Sequence, residues 1–272
     1  MNTYRFAGGT AVVTGAASGI GEALVRELGA RGSSVVLLDR DAVGLARVAG
    51  DLRAKHPGIS VSTVIADLAD RDATDAVAAQ LAADHPDTTL LVNCAGVALG
   101  GNFDQVSLQD FTWLFDINFH ATVTLTHHLL PVLRRNRGSH LANVSSVFGL
   151  FAPAGQAAYV SSKFAVRGFT EALRAESEGT GMGVTSIHPG GIRTAIATNA
   201  RAGAGLSAAD AAKKVDAMSR VLTITPASAA TSILDGIERR KPRVLIGSSA
   251  RIPDLIVRVL PGSYMKVLNR LL

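Results

Sequence analysis

Tyr159 and Lys163 stand four residues apart in Tyr159-Val160-Ser161-Ser162-Lys163. On a helix this spacing sets a phenol and an ammonium on one face. The flanks, Gln156-Ala157-Ala158 and Phe164-Ala165-Val166, are mostly small and apolar, so the helix is expected to be packed. A free tyrosine ionises near pH 10. To act as a base near neutrality its pKa must fall by about three units, roughly 4 kcal/mol. A neighbouring ammonium in a partly desolvated site supplies a field of the required sign. Such a phenol can serve as a general acid/base, exchanging a proton with a bound oxygen atom. Upstream, Asn143-Val144-Ser145-Ser146 closes a β-rich run. Strand alternation points the two serines to opposite faces, so only one of them can reach a group beside Tyr159. No Gly-x-Ser-x-Gly elbow surrounds Ser146, which argues against a serine nucleophile.

A second group of residues has the chemistry of anion binding. Thr14-Gly15-Ala16-Ala17-Ser18-Gly19-Ile20-Gly21 directly follows the first apolar run and opens a helical pattern. Glycines there let the backbone turn sharply and approach a pyrophosphate, while the helix start offers unpaired N–H groups. Asp39 ends the second run, where a carboxylate can accept hydrogen bonds from ribose hydroxyls and repel a 2′-phosphate. Arg40 beside it could instead hold that phosphate. The expectation is NAD, with NADP as the alternative.

These residues need a scaffold. The chain has 272 residues, 47% hydrophobic and 18% charged, enough to bury a large core. Apolar runs at 10–14, 34–38, 61–65, 89–93, 140–144, 184–188 and 243–246 alternate with helical patterns at about 19–30, 41–55, 70–84, 107–135, 156–178 and 226–240. Most runs are continuous rather than alternating, as in strands covered on both faces. The reading is an α/β fold: a doubly wound, Rossmann-type parallel sheet of about seven strands in three αβα layers. A single domain is expected over 1–250, with a Gly-, Ala- and Thr-containing lid at about 190–222. Residues 251–272 then form a carboxyl-terminal extension.

In that extension Ile252, Leu255, Ile256, Val259 and Leu260 recur at helical spacing, as do Tyr264, Val267, Leu268, Leu271 and Leu272. Pro261-Gly262 separates the two stripes. The formal net charge of +5 is concentrated nearby: from Arg239 onward eight basic residues face one acid, Asp254. The tail packs on the protein's own body or a sister subunit, or else rests on an anionic membrane surface. No aromatic-interleaved basic groove suggests nucleic acid. The single cysteine, Cys94, excludes an internal disulfide, and no histidine pattern suggests a metal. No run of 18 apolar residues and no apolar leader are present, so a soluble cytoplasmic protein is expected.

Gly15-x-x-x-Gly19-x-Gly21 together with Asn93-Cys94-Ala95-Gly96 resembles the short-chain dehydrogenase/reductase family, over roughly residues 8–246. The family usually has a second Asn where Cys94 stands. The resemblance implies a catalytic set of Asn118, Ser146, Tyr159 and Lys163. In it Asn118 holds a proton-relay water and Lys163 also binds the nicotinamide ribose. It implies that Asn93 steadies the sheet edge while Ala95 and Gly96 let the adenosine ribose lie close, and that Asp67-Leu68 meets the adenine. In Pro189-Gly190-Gly191-Ile192-Arg193-Thr194, Ile192 would meet the carboxamide and Thr194 the cofactor. The implied activity is NAD(P)-dependent oxidoreduction of an alcohol or carbonyl. The substrate is expected to be lipophilic, with walls from Leu99, Phe148, Phe151, Ile192 and the 195–220 segment. Helices 107–135 and 156–178 are expected to pair subunits into a homodimer or homotetramer. The competing reading is a catalytically silent NAD(P)-binding sensor of the same fold.

Overall fold

The computed structural model describes residues 3–207, 209–210, 212–213, 216 and 221–271. Seven parallel strands form one sheet: β1 (Thr10–Thr14), β2 (Ser34–Asp39), β3 (Val61–Ile65), β4 (Thr88–Asn93), β6 (His140–Val144), β7 (Gly183–Pro189) and β9 (Arg243–Ile246). Their order is β3-β2-β1-β4-β6-β7-β9. The chain winds outward from β1 to β3, then returns to place β4 on the other side of β1. This reversal makes β1 and β4 the topological switch point, where a crevice opens at the carboxyl ends of the strands.

The continuous apolar runs are used on both faces. Ala11, Val13, Val35 and Leu37 face a core built with α1 (Gly19–Ala30), α2 (Ala42–Lys55) and α7 (Pro226–Glu238). Their strand neighbours Val12, Val36 and Leu38 face the opposite core, with α3 (Arg71–Asp84), α5 (Ala121–Arg135) and α6 (Ala157–Glu176). Period-two alternation thus feeds two separate helix layers. Several helix starts are fixed by side-chain caps. Asp41 accepts from Gly44 N–H, Asp70 from Ala73 N–H, and Thr225 from Ser228 N–H ahead of Pro226 at the first helical position.

The long helical pattern at 107–135 is interrupted. Helix α4 (Leu108–Phe115) leads into a π-helical turn at Asp116–His120 before α5 begins. A two-residue ladder, β5 (Leu99–Gly100) with β8 (Arg201–Ala202), pairs the loop after β4 with the 190s segment. It is too short to leave a periodic signal. Ile192 bridges Ile224, so the two ends of the expected lid are drawn together. Within that stretch residues 208, 211, 214–215 and 217–220 lie outside the described residues. The tail forms α8 (Ser248–Val259) and α9 (Tyr264–Leu271).

Candidate active site

The loops after β1 and β4 are tied at the switch point by one hydroxyl. Thr14 Oγ1 accepts from both Cys94 N–H and Ala95 N–H at 2.9 Å. This brings Gly15 against Ala95, so tightly that a Cβ on Gly15 would stand 3.0 Å from Ala95 Cα. Gly15 and Gly19 also adopt left-handed φ of 70° and 56°. Gly21 packs its α-carbon face onto the Gly15 carbonyl, where no side chain fits. Ser18 is the N-cap of α1 and makes no side-chain capping bond. Thr194 lies over this loop, 3.3 Å from where a Gly19 Cβ would be. The cradle is therefore shaped by Gly15, Gly19 and Gly21, with Ser18 at the helix start and Thr194 above it, while Ile20 packs its side chain against the core.

Asp39 sits beside the cradle at the end of β2. Its two carboxylate oxygens accept from Ala17 N–H at 3.0 Å and Asp41 N–H at 3.1 Å. Arg40 is directed toward Asp67, with Nη1 4.0 Å from its carboxylate. Asp67 also accepts from Ala69 N–H. Leu68 is buried in the core on the α3 side, so only its backbone is available to a ligand.

Asn93 was expected to steady the sheet edge. It lies on β4, in the middle of the sheet, and acts at the carboxyl rim. Its Nδ2 donates to Asn143 Oδ1 at 2.8 Å and to Thr126 Oγ1 at 3.1 Å. Asn143 in turn donates to Thr170 of α6. This chain of buried amides and hydroxyls fixes β4, β6, α5 and α6 relative to one another. Cys94 is enclosed here, and burial pushes its thiol up to about 12. It is inert.

Ser146, Tyr159 and Lys163 converge beyond Gly96. Ser146 starts a short turn at Val147–Gly149, and its Oγ accepts from Phe148 N–H at 3.1 Å. The same hydroxyl acts on the Tyr159 phenol, lowering its pKa. Lys163 lies one helical turn beyond Tyr159, with Nζ 5.7 Å from the ring centroid, and donates to the Val144 carbonyl at 3.1 Å. Its Nζ is 3.3 Å from where a Cβ on Gly96 would stand, so a side chain at 96 would fill this space. Ser145 points away, as alternation requires, and donates to the Lys163 carbonyl.

The electrostatics differ from the expectation in one respect. Burial pushes the Tyr159 phenol up, and the Ser146 hydroxyl offsets only part of this. Burial also lowers Lys163 to about 8. The ammonium spends a hydrogen bond on Val144, and the desolvation that would strengthen its field also disfavours the phenolate. In the chain alone, the phenol stays protonated at neutral pH.

Asn118 comes from the π turn, and its side chain is fully engaged. Oδ1 accepts from Val97 N–H at 2.8 Å, while Nδ2 donates to Val97 O at 3.0 Å and Ser162 Oγ at 3.1 Å. The side chain braces the loop after β4 against α6. A water at this residue would have to use groups other than the Nδ2 hydrogens. Leu99 and Phe148 pack with Tyr159, and Phe151 lies edge-on to Phe148 at 5.3 Å. Ile192 instead packs into the core on the α7 side. Pro189 and Gly190 end β7, with Gly190 pressed against Ser249 and Ile246. Arg193 is exposed and brings no charge to the pocket.

Thr14, Ser162 and His188 were given no role from sequence. Thr14 heads the glycine string, but its partners are 80 residues away. Nothing local distinguishes Ser162 from Ser161, or His188 from an ordinary strand residue.

The glycine contacts test whether a dinucleotide fits. Residues 15, 19, 21 and 96 each sit where an added side chain would meet backbone, Thr194 or Lys163, and a held carboxylate flanks the string. A nicotinamide dinucleotide fits this donor set.

Residues 9–205 match the family model for short chain dehydrogenases. SadH of Mycobacterium tuberculosis, classed as an oxidoreductase, is 37% identical over 264 residues, covering 96% of this chain and 94% of that protein. Serine 3-dehydrogenase of Agrobacterium fabrum is 36% identical over 203 residues, 74% of this chain and 79% of its own. Among solved structures, a short chain dehydrogenase/reductase of Burkholderia phymatum in complex with NAD superposes with a TM-score of 0.84 at 27% identity. That match covers 94% of this chain and 95% of the other. A short-chain dehydrogenase of Sphingobium yanoikuyae in complex with NADPH gives 0.78 at 26%, covering 96% and 95%.

Proposed function

The chain belongs to the short-chain dehydrogenase/reductase family, and we propose that it moves a hydride between NAD and a lipophilic alcohol or carbonyl, with Tyr159 as general acid/base. The observation that carries this reading is the convergence of Ser146, Tyr159 and Lys163 beyond the glycine cradle, on an apolar cluster. A nicotinamide cofactor, when bound, accepts or supplies the hydride and in its oxidised form adds a positive ring. The residues do the rest. Ser146 holds the substrate oxygen at the phenol. Tyr159 Oη takes the hydroxyl proton in oxidation and returns it to the carbonyl oxygen in reduction. Lys163 stabilises the phenolate and would meet the nicotinamide ribose, while Asn118 braces the loop that carries Gly96.

Gly15, Ser18, Gly19, Ile20 and Thr194 would hold the pyrophosphate, and Asp39 the adenosine ribose. Asp67 and Leu68 would meet the adenine, and Pro189, Gly190 and Ile192 the carboxamide end through their backbones. NAD is preferred because both Asp39 oxygens are already fixed by backbone donors and Arg40 leans to Asp67. A lipophilic substrate is supported by the apolar side chains packed around Tyr159: Leu99, Leu114, Val97 and Phe148. A homo-oligomer pairing the α4–α5 and α6 faces is supported by the partly exposed ring series Phe111, Phe115, Phe119 and Phe169. The test is cofactor reduction with an alcohol panel, using NAD and NADP in turn. Turnover of apolar secondary alcohols with NAD is expected. No turnover of any alcohol or carbonyl with either cofactor, in a protein that still binds NAD, would favour a sensor.

A further inference from the structure

We propose that the carboxyl-terminal helices form a docking surface for an anionic lipid bilayer. Helix α8 buries Ala250, Pro253 and Asp254 against the body. Its other side leaves Ile252, Leu255 and Val259 exposed by 53%, 63% and 68%, followed by Leu260 at 39%. Positions 252, 255 and 259 share one helical stripe, so these aliphatics form a contiguous patch rather than a scatter.

Cations border the patch. Asp254, the tail's one acid, is consumed by Arg243 and Arg258. Arg251 is exposed beside Ile252 and lines a cleft of about 370 Å³ with Arg239, Lys241 and Arg243 along edge strand β9. The carboxylate in that cleft, Asp235, is held by Arg31 at 2.8 Å. Apolar stripe and cationic cleft therefore meet at Arg251.

Charge decides which partner fits. A twofold contact through α8 would set a segment with eight basic residues and one acid against its own copy, bringing like charges together. An anionic bilayer complements both parts: aliphatics enter the acyl boundary and cations meet lipid phosphates. Among the described residues no helix is long and apolar enough to cross a membrane, so this contact lies on the surface. Helix α8 packs on the 147–149 turn, and Ala152 N–H donates to Tyr264 of α9 at 3.4 Å. The helices that carry the docking surface thus also pack against the pocket wall. That it delivers a lipophilic substrate rests on the function proposed above; the docking itself does not.

Co-sedimentation of the full-length protein with vesicles tests this without any turnover. Vesicles of phosphatidylcholine with phosphatidylglycerol are expected to carry the protein down. Phosphatidylcholine alone, or high salt, should reduce partitioning on the order of tenfold or more. The triple variant Ile252→Ser, Leu255→Ser, Val259→Ser and the double variant Arg239→Glu, Arg251→Glu should each lose a similar factor. Both should keep NAD affinity and oligomeric state. Should the triple variant fail to bind NAD, the double variant alone decides. Wild-type protein left in the supernatant with both vesicle types would overturn the proposal. So would binding by a folded variant that equals wild type, or a triple variant that changes oligomeric state while vesicle binding is unaltered.

Discussion

His188 Nδ1 lies 3.0 Å from the carbonyl oxygen of Ser146, and its Nε2 lies 2.9 Å from the Ser186 hydroxyl. The two contacts assign the tautomer: Nδ1–H donates to the carbonyl, and Nε2 accepts from Ser186. The backbone that carries the candidate catalytic serine is thereby anchored to the neighbouring strand.

This ring makes stability pH-dependent. Burial lowers His188 from 6.5 to about 4, outweighing the Ser146 bond, and lowers His140 to about 3. Both are neutral when folded, whereas the unfolded chain takes up their protons near pH 6.5. Stability is therefore full above about pH 6.5 and declines as pH falls toward 4, by roughly 3 kcal/mol for His188 alone. Denaturant titrations at several pH values should show this decline, and a shallower one in His188→Gln. Equal slopes in the two proteins would contradict it.

Tyr159→Phe should reduce hydride transfer by a factor of about 10² to 10⁴ while leaving NAD affinity nearly unchanged. Because the phenol is protonated in the free protein, wild-type oxidation should accelerate with rising pH, and the variant's residual rate should lose that dependence. Steady-state rates across pH with tritrated NAD binding would settle both points.

Replacing Asp39 with Ser removes the carboxylate proposed to meet the adenosine ribose. The ratio of kcat/KM for NAD over NADP should fall on the order of tenfold. A wild-type enzyme that already turns over faster with NADP would refute this assignment.

Arg201 stacks on Trp113 at 3.5 Å and pairs with Asp110 at 3.3 Å, clasping β8 onto α4 beside the apolar cluster. Arg201→Ala should raise KM for apolar substrates several-fold with little change in kcat, since the stack is worth about 1 kcal/mol. Trp113 is the chain's single tryptophan, so its emission should report the loosened clasp. Unchanged KM and emission would show that the clasp does not shape the pocket.

The strands, the glycine string and the Tyr159–Lys163 spacing could be read directly from the chain, because each depends on neighbours within a few residues. Two-sided burial produces continuous apolar runs, a phosphate turn needs glycine, and one helical turn aligns a phenol with an ammonium. Tertiary packing decided what depends on distant partners. The π turn at Asp116–His120 arises within a stretch that reads as one helix, and Asn118 is engaged by Val97 and Ser162 from other elements. Ile192 faces the α7-side core and not the pocket, because its bridge to Ile224 fixes its side. The protonated state of Tyr159 was likewise set by enclosure. Spacing specifies which charges are near, but desolvation exists only once the surrounding side chains have closed over the group.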